Sequence, residues 1–159
     1  MKCLCSLTDD DLREGIALLV ETYGDVPPGA IKPEDIDLKE WRICCPEEEP
    51  ERVVSAGKME ISKTDWFSCT VKNLVTAPEY RSRNIATEIA RGLLEDAIER
   101  DSCLVCQADI TKDNAASRHI FEQQLGFKVV SDFCMPWEGK EAVVVQKDLS
   151  PREECENRR

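Results

Sequence analysis

Apolar positions recur along the chain with two different periods, and the changes of period divide it into elements. Leu12, Ile16, Leu19, Val20 and Tyr23 fall at i, i+4, i+7, i+8 and i+11, the stripe of one amphipathic helix. Thr8 ahead of three aspartates offers a capping hydroxyl and negative charge at the positive end of the dipole, and Gly24 predicts the stop. Residues 25–33, rich in Pro and Gly, read as a loop that forms a wall or lid, with a short second helix through Glu40 and Trp41. Alternation then predicts strands at 42–45, at 53–61 with Gly57 marking a bulge, and at 66–76. An acidic turn at 46–51 and a hairpin turn at 62–65 join them.

The second half has a different rhythm. Ile85, Ala86, Ile89, Ala90, Leu93, Leu94, Ala97 and Ile98 make a wide helical face. A strand follows at 102–110, then a helix at 114–125 that buries Ser117, Ile120, Phe121 and Gln124 and ends at Gly126. Strands at 127–133 and 141–149 close the pattern, which shows no internal repeat. The expectation is one domain over residues 1–149 with a polar tail at 150–159.

Composition narrows the function classes. With 21 basic against 32 acidic residues and a net charge of -11, the chain lacks the basic surplus that phosphate-backbone binding requires, so nucleic acid is excluded as a partner. A cationic small molecule suits it better. No apolar run is long enough to span a membrane and no signal peptide precedes the first helix, so the chain reads as cytoplasmic, with no membrane partner. Nine cysteines, an odd number lying mostly in apolar runs, read as reduced, buried thiols. Cys103-x-x-Cys106 has zinc-ligand spacing, but alternation in a strand running through it sends the thiols to opposite faces, so no metal is assigned.

One segment breaks the acidic trend. Leu74-Val75-Thr76-Ala77-Pro78-Glu79-Tyr80-Arg81-Ser82-Arg83-Asn84-Ile85-Ala86 runs from a strand through a tight turn into a helix, where unpaired backbone N–H groups at a dipole's positive end form an anion site. Lys72, Arg81, Arg83 and Arg91 outnumber Glu79 and Glu88 there. Arg81-Ser82-Arg83-Asn84-Ile85-Ala86 resembles the acyl-CoA-binding motif of the Gcn5-related N-acetyltransferases (GNAT), Gln/Arg-x-x-Gly-x-Gly/Ala. Asn84 replaces the usual Gly, and Asn is the side-chain-bearing residue most tolerant of positive φ. Leu74-x-Thr76-x-Pro78 is similar to the family's Leu-x-Val-x-Pro strand end. Asn114-x-x-Ser117-x-x-Ile120-Phe121, leading to Gly126-Phe127, looks like its Asn-x-x-Ala-x-x-Leu-Tyr helix, with one residue more than usual between Phe121 and Gly126.

The resemblance implies an α/β (α+β) fold: a mixed, mostly antiparallel sheet of six to seven strands, helices on both faces, and two splayed parallel strands forming a CoA cleft. It implies acetyl-CoA as co-substrate, with its amides paired to the backbone of Leu74, Val75 and Thr76 and its diphosphate on Arg81, Ser82, Arg83, Asn84, Ile85 and Ala86. Asn114 would contact the pantetheine arm, and Phe121 would pack near the thioester. The implied reaction is direct attack by a primary amine of a small molecule or peptide, with the backbone N–H near Thr76 polarising the carbonyl.

Glu60 and Asp109 are the candidate bases, with Asp65 behind them. Phe121 stands where many members carry a Tyr acid, and Tyr80, Tyr23 or Cys134 could replace it. His119 reads as an edge or surface residue, and Trp41, Trp66 and Trp137 either line an acceptor pocket or pack as core and rim. Homodimers are common among proteins of this kind. The competing class is a non-catalytic acyl-CoA-binding or regulatory module.

Overall fold

The computed structural model describes residues 5–24, 26, 27, 29–65, 67–135 and 139–150. In chain order it contains α1 (Asp9–Tyr23), β1 (Trp41–Cys44), β2 (Ser55–Ile61), β3 (Ser68–Thr76), α2 (Ile85–Glu99) and β4 (Val105–Thr111). A short α3 (Ala115–Arg118) then passes into a π-helical turn (His119–Gln124), followed by β5 (Lys128–Cys134) and β6 (Glu141–Asp148). Six strands form one sheet in the order β1-β2-β3-β4-β6-β5. β3 and β4 are parallel, and β1–β2, β4–β6 and β5–β6 are antiparallel, so the expected mixed, mostly antiparallel sheet is present. Among the described residues no helix is long and apolar enough to cross a membrane.

The described residues pack as two compact units, one of residues 5–60 and 71–94 and one of residues 61–70 and 95–150. In the first, Thr8 caps α1 as its sequence predicts: its hydroxyl oxygen accepts the Asp11 N–H at 3.2 Å, while the Asp11 carboxylate accepts the Thr8 N–H at 3.2 Å. The periodic stripe buries Ile16, Leu19 and Val20, while Tyr23 at its end is exposed. Gly57 makes no bulge against β1. Pairing between β1 and β2 runs unbroken from Trp41↔Lys58 to Cys44↔Ser55. Its missing side chain makes room instead, because a Cβ there would stand 3.0 Å from Ile89 and 3.1 Å from Leu74 and from Leu93. α2 therefore sits close on β2. Trp41 is a core residue at the start of β1.

The expectation that all cysteines are reduced does not hold. Cys5 and Cys45 form a disulfide across a sequence separation of 40, tying the segment before α1 to the end of β1. Nothing in their spacing announces the pair; their Cα atoms meet at 5.3 Å only through the fold. Cys44, Cys69, Cys103 and Cys106 are buried free thiols and Cys134 is an exposed one.

In the second unit, β3 and β4 pair at Ser68↔Val105, Cys69↔Cys106 and Thr70↔Gln107. β4 begins at Val105, so Cys103 lies outside the strand and escapes the alternation expected of it. Cys69, Cys103 and Cys106 are all buried; Cys106 foremost and then burial raise the Cys69 thiol, while burial pushes Cys103 up to about 12. Among the described residues no group of three or more His, Cys, Asp or Glu side chains is arranged to hold a metal ion.

The helix after β4 changes character midway, and the change absorbs its extra residue. Leu125 N–H reaches back five residues to the Ile120 carbonyl at 2.9 Å, and Phe127 N–H reaches Phe121 at 2.9 Å. The wider turn alters the buried stripe: Phe121, Leu125 and Phe127 are buried, Ser117 and Ile120 are half-buried, and Gln124 is exposed, contrary to expectation. Ile98, expected on the apolar face of α2, is 46% exposed. Expectations for Trp66, Trp137, Cys3, Cys155 and the tail from 151 fall outside the described residues.

Candidate functional site

The site is built at the end of β3. Asn73 adopts φ +51, a left-handed residue inside the strand that interrupts its alternation and leaves Val75 and Thr76 both buried. Two side chains fix the strand end. The Ser55 hydroxyl donates to the Val75 carbonyl at 2.9 Å and meets the Thr76 hydroxyl at 2.8 Å, and Arg81 Nε donates to the Thr76 carbonyl at 3.1 Å. Ala77 N–H is held by the Val54 carbonyl at 2.9 Å. Arg81 thus folds back over the strand it follows.

Pro78 opens a 3₁₀ turn through Tyr80, after which Ser82 and Asn84 take φ +61 and +63. A turn with left-handed residues is the kind of backbone from which anion-binding nests of successive N–H groups are made. Asn84 stands at the position where its type was expected to tolerate this conformation. Its side-chain amide donates to Glu88 at 3.3 Å, and its carbonyl accepts the Glu88 N–H at 3.1 Å, the first bond of α2. Among the described residues the N–H groups of Ser82, Asn84, Ile85 and Ala86 find no acceptor, while that of Arg83 closes the turn at 81–82 only weakly. They lie at the positive end of a 15-residue helix.

The local cations differ in their freedom. Lys72 pairs with Glu60 at 3.0 Å, Arg83 with Glu48 at 3.5 Å, and Arg91 with Glu88. Among the described residues Arg81 has no carboxylate partner, so its terminal nitrogens are open to an incoming anion. Tyr80 is buried beneath this group, its hydroxyl donating to Glu49 at 3.1 Å and its ring carrying the Arg83 guanidinium at 4.8 Å. Burial, then Glu49, holds its phenol above the ordinary value, and its hydroxyl is engaged by Glu49.

Leu74, Val75, Thr76, Arg81, Ser82, Arg83, Asn84, Ile85, Ala86 and Glu60 belong to the first unit; Asp109, Asn114 and Phe121 belong to the second. Glu60 is flanked by Lys72 and, at 3.8 Å, by Lys58, which also meets Glu40 at 3.0 Å. Asp109 is exposed in the middle of β4, opposite Val144. Asn114 caps α3, its carbonyl oxygen accepting the Ser117 N–H at 3.0 Å, which leaves its amide nitrogen as a donor. Phe121 is buried edge-on to Phe127, with centroids 5.0 Å apart. Asp65 ties the hairpin turn, accepting the Ser68 N–H at 2.9 Å, and bonds from Ser68 foremost hold its carboxyl below the usual range. His119 is exposed, as expected.

The model of the Acetyltransferase (GNAT) family matches residues 18–127, more than half of the sequence. The chain belongs to this family. The GNAT match takes in both the β3–α2 turn and the helix after β4. No curated protein matches the chain. Among solved structures, the crystal structure of the NatC complex bound to Gag peptide and CoA contains a chain 17% identical, with 88% of this chain and 92% of that one covered and a TM-score of 0.74. A putative acetyltransferase of the GNAT family from Desulfovibrio desulfuricans is 13% identical over 91% of this chain and 95% of that one, with a TM-score of 0.71. Ribosomal-protein-alanine N-acetyltransferase from Brucella melitensis is 19% identical over 90% and 97%, with a TM-score of 0.66. At these identities the likeness is one of fold.

Proposed function

We propose that the protein is an acetyl-CoA-dependent N-acetyltransferase that transfers acetyl to a primary amine of a small molecule or peptide. The observation that carries this reading is the set of N–H groups at the head of α2 that find no acceptor among the described residues, beside an Arg81 with no carboxylate partner among them, in a chain of the GNAT family. A diphosphate matches both the donors and the positive dipole end. Acetyl-CoA fits this donor set and would supply an activated thioester. By the family motif, Leu74, Val75 and Thr76 would pair with its amides, and Asn114 and Phe121 would serve its pantetheine end.

The chemistry asked of the protein is modest. A lysine-like amine has a pKa of about 10.4, so a carboxylate or a water chain must accept a proton before or during attack, and Glu60 and Asp109 are proposed as the carboxylates. Backbone N–H near Thr76 would stabilise the developing oxyanion. Phe121 cannot protonate the leaving sulfur, but a thiol pKa near 8.5 makes the thiolate a tolerable leaving group that solvent can protonate. A cationic acceptor is favoured by the net charge of -11.

Acetyl-CoA turnover against a panel of amines and peptides, read as free thiol release over a protein blank that accounts for the exposed Cys134, tests the reading. Acceptor-dependent release is expected. Acetyl-CoA binding without release across the panel would overturn it in favour of a non-catalytic acyl-CoA-binding module.

A further inference from the structure

Building on the reading of residues 81–86 as a diphosphate grip, we propose that Glu48 sets the affinity of that grip. Its carboxylate is an internal anion held by Arg83, and a CoA phosphate must displace it.

The geometry singles out this acid among its neighbours. Glu49 and Glu79 are both engaged by Arg52, the former at 3.1 Å, and Glu49 also accepts the Tyr80 hydroxyl. Among the described residues the partner of Glu48 is Arg83, at 3.5 Å, with the two side chains 60% and 54% exposed. A pair that exposed is weak enough to exchange. Arg83 is itself kept in place by the buried Tyr80 ring and sits inside the turn that leads into α2.

Glu48 does not owe its position to a wandering loop. The segment before α1 pins both ends of the acidic turn: Cys5 is bonded to Cys45 at its start, and Ser6 N–H donates to the Pro50 carbonyl at 3.2 Å at its end. Within it, Glu49 N–H reaches the Pro46 carbonyl at 3.1 Å and Arg52 N–H reaches Glu49 at 3.0 Å. The turn therefore presents a fixed negative charge to the cation that the ligand needs. Losing that charge frees Arg83 and removes a repulsion from the approaching phosphates.

Titration calorimetry with CoA at low and high salt distinguishes the outcomes. Glu48→Gln is expected to tighten the Kd roughly 3- to 10-fold at about 0.05 M salt, and less than about twofold at 0.5 M, where screening is short-ranged. Glu47→Gln, which removes the same charge from the same turn, is expected to give under half of that gain, as is Glu48→Gln placed in an Arg83→Gln background. An unchanged or weaker Kd for Glu48→Gln, an equal gain from Glu47→Gln, or a gain undiminished without Arg83 overturns the proposal. If the wild type binds CoA and Arg81→Glu abolishes binding while Glu48→Gln is silent, the proposal alone falls. A wild type that binds no CoA removes the underlying reading with it.

Discussion

Ser82 and Asn84 each carry a Cβ in a backbone region that favours glycine, and two such residues in one turn are a conformational cost the fold accepts. Asn84 offsets part of it through its bond to Glu88, but no comparable bond is found for Ser82 among the described residues. Ser82→Gly is therefore expected to raise stability by about 0.5–1 kcal/mol, while Ser82→Val lowers it, measured by urea denaturation. An equal or larger loss from the glycine would mean that the Ser82 side chain holds the turn. Only part of this was legible beforehand. Asn84 is a residue type that tolerates positive φ at a position where the family has Gly, so its conformation could be argued from the sequence. Ser82 carries no such mark, and Asn73, although of the same tolerant type, lies in an alternating strand pattern that gives no reason to expect a left-handed residue.

Periodicity made the elements readable because it records burial one residue at a time, and α1, α2 and the strands lie close to where their patterns place them. Where one residue supports two explanations, the pattern does not choose. Gly57 satisfies both a bulge and a close helix contact, and only the distances to Ile89, Leu74 and Leu93 decide for the contact. Gly57→Ala is accordingly expected to destabilise by about 1–3 kcal/mol, seen as a lowered Tm, because the packed side chains of Ile89, Leu74 and Leu93 must all give way. A neutral effect would show that α2 has slack over β2. The π-helical turn left one trace in the sequence, a single extra residue before Gly126; hydrogen bonds reaching back five residues have no amphipathic signature of their own. The disulfide left none, since pairing between Cys5 and Cys45 depends on tertiary proximity.

Charge and thiols shape the behaviour of the whole molecule with pH. Asp65 and Glu79 are both held below the ordinary carboxyl range, by bonds from Ser68 and, for Glu79, by its own backbone N–H and then Arg52. Their contribution is complete above the ordinary carboxyl values and is lost as pH falls through the lowered ones. Cys69 and Cys103 are displaced upwards from 9.0, so their contribution is complete below that value and is lost as pH rises from it towards about 12, the value for Cys103. Denaturant midpoints measured across pH are expected to form a plateau from roughly pH 5 to 8.5, falling on both sides. Replacing Cys69 and Cys103 together by Ala should blunt the alkaline fall, and an unchanged fall would show that the buried thiols do not govern it. At this scale the sequence pointed to the family and the mixed sheet through two motifs in order, but the identity of the acceptor depends on surfaces that match no motif.

The most direct measurement is a titration of isotopically labelled protein with CoA, followed by the backbone amide resonances. Large shifts are expected at Ser82, Arg83, Asn84, Ile85 and Ala86, saturating together and lost in Arg81→Glu. Saturating CoA that leaves these five amides unmoved, or moves others in their place, would contradict the diphosphate grip proposed for residues 81–86.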